Sequence, residues 1–414
     1  MPMPTPSASI PVPGEPGRLE DLALLGGRPL FDRMLYVGRP SMAPDAEVHA
    51  RIQSALDRRW LTNDGPLVQE LERRCGERLQ VPHCLAVNNA TLGLEVALRA
   101  LDVQGEVLLP AFTFIGTAHA VQWLGLTPVF CDVRDADHGL DPEEVERRIT
   151  PATGAILAVH LWGRACAVEA LEAMARRHGI PLVLDAAHAM GCGHAGRPLG
   201  SRGTVEVFSL HATKGLNSLE GGLITTGDAA LAERIRLMRN FGIPGEDQVR
   251  CVGTNAKMNE FSAAVGLSNL DHFDDLCAHN QRLHAAYGQA LADAPGLRLM
   301  QAEPGQAFSH HYIVLEVLAG APLHRDQLVS LLRAENVYAR RYFRPGCHQA
   351  EPYRSRPGGP PVLPVTERLG QTLLQLPSGL QITPEEAHRL GQRLAWCLRH
   401  GDVVATRLPR MGAA

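Results

Sequence analysis

Of the 40 lysine and arginine residues in this 414-residue chain only two are lysine, Lys214 and Lys257. Where a solvated positive charge is all that matters the two side chains replace one another, but only a lysine amine can shed its proton and condense with a carbonyl. A GC-rich genome also depletes lysine, so scarcity does not assign a role; the neighbours must. Lys214 lies in Ser209-Leu210-His211-Ala212-Thr213-Lys214-Gly215. Upstream, Asp185 ends the apolar run PLVLD and is followed by AAHA, which carries His188. A carboxylate at the end of such a run is costly to bury without a cationic partner.

An amine, a strand-end carboxylate and nearby hydroxyls are the parts needed to hold an aldehyde cofactor. Such a cofactor needs an anion hole for its phosphate, a carboxylate on its ring nitrogen, a flat surface against its ring, and the lysine. Asn88-Asn89-Ala90-Thr91 follows a short apolar run and opens the helical stretch LGLEVALRAL, so its amides and the Thr91 hydroxyl face outward at a helix N-terminus. Asn and Thr are also common caps with no ligand at all. Phe114, in PAFTF, offers a ring face, and Ser209 a hydroxyl five residues before the lysine. Glu220-Gly221-Gly222 reads as a tight turn into a strand that lets the backbone pass close to a ligand. His188 could stack on or bond to a ring, although a lone histidine is more often structural.

The elements that must position these residues are legible as alternating short apolar runs and helical periodicity from about residue 66, the pattern of an α/β domain with a largely parallel sheet. Strands are expected at 107–114, 128–133, 156–162, 181–187, 205–211 and 222–226. Helices are expected near 67–79, 91–102, 115–125, 142–149, 168–178 and 229–240. In an open α/β sheet the ligand crevice lies outside the carboxyl ends of the strands, which is where Asp185, His188, Ser209 and Lys214 fall. After Gly253 the texture changes to a long polar helix over 260–293, short strands, helices at 324–335 and 384–400, and a Pro/Gly-rich loop at 345–364. This divides the chain into a tail (1–18), a large domain with an N-terminal arm (19–258) and a smaller α+β domain (259–414).

Composition narrows the function classes. A formal net charge of −4 with no long like-charge block argues against a nucleic-acid or membrane-surface partner. No run of about 18 apolar residues is present to span a bilayer. The first seventeen residues, rich in Pro and Ser, lack the apolar core of a signal peptide and read as a flexible tail. Nine scattered cysteines without a CxxC pair suit a reducing cytoplasm and core packing. His188, Cys192 and His194 match no zinc spacing. A non-catalytic sensor or scaffold on the same fold is the alternative of another class, disfavoured by the complete Asp185, Ser209 and Lys214 set, and Lys214 argues against a pyridoxamine-dependent sugar dehydratase, in which a histidine replaces the lysine.

The segments LDAAHAMGC, VFSLHATKGLNSLEGGLITT, RLMRNFG and GTNAKMNEFSAAVGL resemble the pyridoxal-phosphate-dependent nucleotide-sugar aminotransferases of the DegT family, over roughly residues 20–400. The stretches LLGGRPLFDRMLYVGRP, VHLWGR and YFRPGCHQAEPYR are most similar to the desosamine-pathway branch that aminates dTDP-4-keto-6-deoxyglucose at C-4. The resemblance implies a fold-type I, aspartate-aminotransferase-like architecture using pyridoxal 5'-phosphate, with pyridoxamine 5'-phosphate formed in turnover. It implies Lys214 as the lysine bonded to the cofactor, Asp185 on the ring nitrogen, His188 beside it, Phe114 stacked on the ring, and Ala90, Thr91 and Ser209 on the phosphate. It further implies a homodimer whose active sites are shared, with Asn255 or Lys257 reaching the partner's phosphate; relatives often carry Arg at the latter position. Many relatives have Ser or Gly where this chain has Asn88-Asn89. The expected substrates are L-glutamate and a dTDP- or UDP-linked keto-sugar, a 3-keto or further deoxygenated sugar or a keto-cyclitol being the alternatives. A sugar nucleotide brings a diphosphate, for which Arg340, Arg341 and Arg344 are candidates with Tyr342 and His348. Asn63 is a further contact implied by the resemblance.

Overall fold

Runs such as Val107-Leu108-Leu109 and Ala155–Val159 have no polar alternation, so both faces of the strands they form must be covered. The computed structural model, which describes residues 17–408, meets that requirement with a seven-stranded sheet. The strands are β1 (His83–Val87), β2 (Glu106–Pro110), β3 (Thr127–Cys131), β4 (Thr153–Val159), β5 (Leu182–Asp185), β6 (Val205–Ser209) and β7 (Gly222–Thr226). Their order is β1-β7-β6-β5-β4-β2-β3. β7 runs antiparallel to both of its neighbours, and the others are mutually parallel. This is the mostly parallel sheet of the fold-type I architecture.

Period-two burial sorts each strand's side chains between two layers. Val107, Leu109, Leu157, Val183 and Val207 pack beneath α3 (Ala90–Ala100), α4 (Ile115–Trp123) and α7 (Ala229–Met238). Leu108, Ile156, Ala158 and Leu184 face α5 (Pro142–Arg148) and α6 (Val168–His178) on the other side. Toward the β1 edge, Ala86, Phe208 and Leu223 pack on α2 (Pro66–Leu79) and α8 (Glu260–Asp271).

Several expectations shift. β1 was visible in the sequence only as a short apolar run, and the helix α1 (Asp45–Arg58), packed on α8, had no counterpart there. The polar helix expected over 260–293 is two helices, α8 and α9 (Phe273–Leu291), broken at His272 (φ −107°, ψ 8°). No Gly or Pro marks that break; packing imposes it. α8 is buried nearly all round between α1 and α2, and Phe273 turns into the core under Gly191.

The C-terminal part builds its own core around an antiparallel sheet of β8 (Leu297–Leu299), β9 (Ile313–Val317) and β10 (Leu373–Leu376), in the order β8-β9-β10. α9, α10 (Arg325–Ala334) and α12 (Pro384–Arg399) cover it, while α11 (Pro364–Thr372) leads into β10. Leu22, Phe31 and Leu35 belong to this core, so the segment grouped by sequence with the large domain packs on the C-terminal sheet. The expected tail over 1–18 lies outside the described residues except for Gly17 and Arg18.

α2 starts after Gly65, which has no side chain to cap it. Glu260, fully buried at the head of α8, supplies the acceptors instead: its carboxylate takes hydrogen bonds from the N–H groups of Leu67 (3.0 Å) and Val68 (2.9 Å). A Cβ at position 65 would come within 2.4 Å of the Glu260 carboxyl carbon, so glycine is required by the close approach. Glu260→Ala strands those N–H groups in the interior, and we expect a loss of about 2–4 kcal/mol. It should read out as a lower urea midpoint with an unchanged slope; an unmoved midpoint would mean that the helix start is satisfied another way.

Candidate active site

Three segments end at the same edge of the sheet, and the register explains why. Gly222 at the start of β7 sits across from Val87 at the end of β1 and from Ser209 at the end of β6. A Cβ on Gly222 would lie 2.9 Å from the amide nitrogen of Ala90 and 2.9 Å from the carbonyl carbon of Asn89. The glycine therefore lets the N-terminus of α3 settle beside Ser209. Asn89 is the cap, accepting from the Leu92 N–H at 2.9 Å, so one asparagine of the pair is used structurally while Ala90 and Thr91 line a cavity.

That cavity has a volume of about 690 Å³. Ala90, Thr91, Phe114, Asp185, His188, Ser209 and Lys214 all line it, with Arg340 and Tyr342 on its wall. Phe114, the residue before α4, is 56% exposed and offers a free ring face. Gly116 lies under that ring, where a Cβ would meet it at 3.0 Å.

Asp185 ends β5, 6% exposed. One oxygen accepts from the Thr117 hydroxyl at 2.8 Å and the other from the Ala187 N–H at 3.0 Å; among the described residues it forms no salt bridge. Burial pushes its pKa up, while these two donors, Lys214 and His160 pull it down. Lys214 rides on the 210–221 excursion between β6 and β7, tied down by Leu210 N–H to Gly221 O (2.8 Å), Lys214 N–H to His211 O (2.8 Å) and Asn217 Nδ2 to Ser41 O (2.9 Å). Burial lowers its amine to about 8, and the Asp185 carboxylate works the other way. His188 accepts from the Trp162 N–H through Nδ1 (3.2 Å), which leaves its proton on Nε2, and it stacks on the Trp162 ring at 5.6 Å. Burial first, and then Lys214, hold it well below 6.5, so it is neutral.

The remaining expected residues do not all converge. Lys257 donates to Asn255 Oδ1 at 2.7 Å and lies over the Phe241 ring at 4.5 Å. With Asn63 it lines a separate depression of about 180 Å³. Arg341 and Arg344 bind Asp326 at 3.0 and 2.9 Å and line an adjoining chamber of about 470 Å³, which shares Phe114, Arg340 and Tyr342 with the main cavity. His348 is 1% exposed, its Nε2 3.5 Å from Glu367, and lines none of these cavities; the tight packing of Gly346 and Thr366 encloses it. The His188, Cys192 and His194 set is dispersed: Cys192 faces Ser309 and His194 faces Glu169.

Sequence reasoning missed Thr117, Trp162 and Tyr312. Tyr312, immediately before β9, brings its hydroxyl 3.2 Å from Lys214 Nζ. The run His310-His311-Tyr312 ahead of an apolar strand was the available signal.

A model of the DegT/DnrJ/EryC1/StrS aminotransferase family matches residues 43–395. The chain belongs to that family. It is 34% identical over 349 residues to the dTDP-4-amino-4,6-dideoxy-D-glucose transaminase of Escherichia coli, covering 84% of this chain and 94% of the relative. It is 37% identical over 326 residues to the erythromycin biosynthesis sensory transduction protein EryC1 of Saccharopolyspora erythraea, covering 78% and 88%. Among solved structures, DesI in the presence of its TDP-sugar product superposes with a TM-score of 0.90 at 44% identity, over 94% of this chain and 99% of that one. DesV of S. venezuelae in complex with a ketimine intermediate gives 0.80 at 31%, over 87% and 99%. This aminotransferase thus has sugar transaminases as relatives along most of its length.

An amine near 8 is about one-tenth neutral at pH 7 and nine-tenths neutral at pH 9. In ligand-free protein, acylation of Lys214 followed by peptide mass spectrometry should rise through a midpoint near pH 8, below the ordinary lysine value of 10.5. A midpoint at 10 or above would refute a desolvated amine.

Proposed function

We propose that this aminotransferase uses pyridoxal 5'-phosphate to move the amino group of L-glutamate onto C-4 of dTDP-4-keto-6-deoxy-D-glucose, giving dTDP-4-amino-4,6-dideoxy-D-glucose. The observation that carries the reading is the pairing, in one cavity, of a depressed lysine amine with a buried carboxylate that lacks a salt bridge. A protonated pyridine nitrogen is the cation that such a carboxylate lacks. The neutral donors Ala90 N–H, Thr91 and Ser209 fit a phosphate at a helix N-terminus, and the open face of Phe114 fits an aromatic ring. The sugar assignment is supported by the names of the E. coli and Shigella dysenteriae relatives and by the sugar nucleotide in the DesI structure.

When bound, the cofactor supplies an aldehyde that takes up the donor's amino group and a ring that accepts electrons as a Cα–H bond breaks. Asp185 would hold the ring nitrogen and favour its protonated form, while Thr117 and the Ala187 N–H orient the carboxylate and favour its charged form. Lys214, once free, takes the proton from the α-carbon of glutamate and later delivers a proton to C-4 of the sugar. General acid–base assistance of this kind is worth about 10²–10⁴-fold. Arg340, with Arg341 and Arg344 in the adjoining chamber, supplies positive charge toward the diphosphate.

The reading includes a homodimer with shared sites. Phe241, Val249 and Val252, which precede Lys257 in the chain, are exposed apolar residues, Val252 at 86%. Their burial by a second copy would carry Asn255 and Lys257 toward the partner's phosphate site. A cytoplasmic setting is part of the same proposal, all nine cysteines being unpaired. The name of EryC1, a sensory transduction protein, raises a second reading, a sensor that retains the fold; the complete Asp185 and Lys214 pair favours the enzyme.

Purified protein incubated with glutamate and a panel of 3-keto and 4-keto dTDP- and UDP-sugars should form an amino sugar from dTDP-4-keto-6-deoxyglucose, detected by mass spectrometry. Turnover of a 3-keto sugar alone would reassign the substrate. Lys214→Arg should lose more than about 10³-fold in kcat and the visible band that borohydride bleaches, and normal turnover would sink the assignment. Lys257→Arg should keep at least a tenth of the activity.

A further inference from the structure

Tyr312 is delivered to Lys214 from the opposite side of the cavity. Its hydroxyl is 3.2 Å from Nζ, and among the described residues this is the hydrogen bond that the lysine side chain makes. The ring is fixed by its neighbours: the His188 ring at 4.4 Å, Trp162 at 5.7 Å and His311, edge-on, at 4.9 Å. Trp162 is itself clamped, stacked between His188 and Phe343 (5.3 Å, 7°) with its backbone in the left-handed region at φ 60°. One residue earlier, His311 Nε2 donates to the carbonyl oxygen of Thr213 at 2.9 Å, and Ser378 Oγ donates to the His311 carbonyl at 2.6 Å. The segment before β9 therefore grips the lysine loop twice, once on the backbone at 213 and once on the amine at 214.

The groups facing the amine come from every wall. Asp185 ends β5 and His188 follows it; His311 and Tyr312 precede β9; His211, Glu220 and Arg340 stand farther along the lining. Both His188 and His311 are held neutral by burial, the latter at about 4, so neither competes as a charge. A lysine ammonium carries three N–H donors on a flexible four-carbon stem. Among the described residues the phenol oxygen is the acceptor it reaches.

We infer that Tyr312 is a positioning residue for Lys214: its oxygen accepts a hydrogen bond from the free ammonium, holding the amine at the cavity wall whenever the lysine is not bonded to a ligand. The inference rests on the reading that the Lys214 amine is the reacting group. It adds that the C-terminal sheet, through one hydroxyl, stabilises the charged form of an amine carried by the large sheet.

Removing the acceptor should favour the neutral amine, because a hydrogen bond to the charged form raises a base's pKa. Tyr312→Phe keeps the ring and its stacking and deletes only the oxygen. With just two lysines in the chain, competitive acetylation of the ligand-free protein across pH reads Lys214 directly, with Lys257 as internal reference. The expected result is a Lys214 midpoint lower by about half to one pH unit, a three- to tenfold gain in labelling at pH 7, and no change at Lys257. Tyr312→Gln, which restores a carbonyl acceptor, should return the midpoint toward the parent value and covers the case in which the phenylalanine variant does not fold. A folded Phe variant whose midpoint coincides with the parent's, or a folded Gln variant whose midpoint stays a full pH unit below the parent's, would overturn the inference. Because the titration needs no cofactor, it separates the two claims. A shifted midpoint in a protein that never transaminates would end the functional reading alone, and an unshifted midpoint in an active enzyme would end this one alone.

Discussion

A carboxylic acid and a primary amine share one cavity, and burial moves each toward its uncharged form: Asp185 up from the ordinary range and Lys214 down to about 8. What keeps Asp185 an anion is a pair of neutral donors, the Thr117 hydroxyl and the Ala187 N–H, together with the nearby amine. The rest of the architecture follows from having to hold these groups at one sheet edge. β5 must end at Asp185, α4 must start early enough to present Thr117, and the chain leaving β6 must detour past the strand ends before it returns as β7. The return is antiparallel because the detour ends where it began, leaving no room for the helical crossover that a parallel neighbour requires.

The same detour shapes the end of the cavity proposed to hold the phosphate. With β7 entering at Gly222 between β1 and β6, one position in the register has to lack a side chain for α3 to approach. The donors gathered there are neutral: backbone N–H groups, Thr91 and Ser209. A helix N-terminus contributes an effective charge of only about +0.5, well short of balancing a phosphate dianion. Lys257, beside the cavity and outside it, is the kind of cation that a second copy would have to bring, which is why the proposed dimer and the proposed cofactor depend on each other.

Much of this was legible in the sequence because the signals are local. Asp185 closes an apolar run, Ser209 and Lys214 lie a few residues apart after another, and Gly222 begins the next; a strand pattern alone brings them together. Boundaries were less legible: strands expected to run to Phe114, Trp162 and His211 stop at Pro110, Val159 and Ser209, because the chain turns away to form the site. Contacts made across long sequence separations were invisible. Tyr312 lies 98 residues from Lys214, and Glu260 caps a helix 192 residues before it. The same limit applies to His348, whose type and spacing suit a diphosphate, whereas its burial depends on packing around Gly346 and Thr366 that no short window contains. The break at His272 has the same origin, since nothing local opposes a continuous helix.

The two lysines differ in the property that matters for amine chemistry, which is water. Lys257 is half-buried, with Asn255 as its hydrogen-bond partner and a phenylalanine ring beneath it, and desolvation lowers its pKa less far than it lowers that of Lys214. Its partners, an amide oxygen and a ring face, accept any cation, so a guanidinium would serve. Lys214 has a carboxylate to favour its proton and burial to oppose it, and the balance leaves a substantial neutral fraction near physiological pH. A guanidinium keeps its charge throughout that range. In the proposed reaction it would remove both the nucleophile and the proton carrier. The scarcity of lysine therefore acquires physical meaning at one of its two positions, where the proposed reaction needs a group that is a cation at one moment and a base at the next.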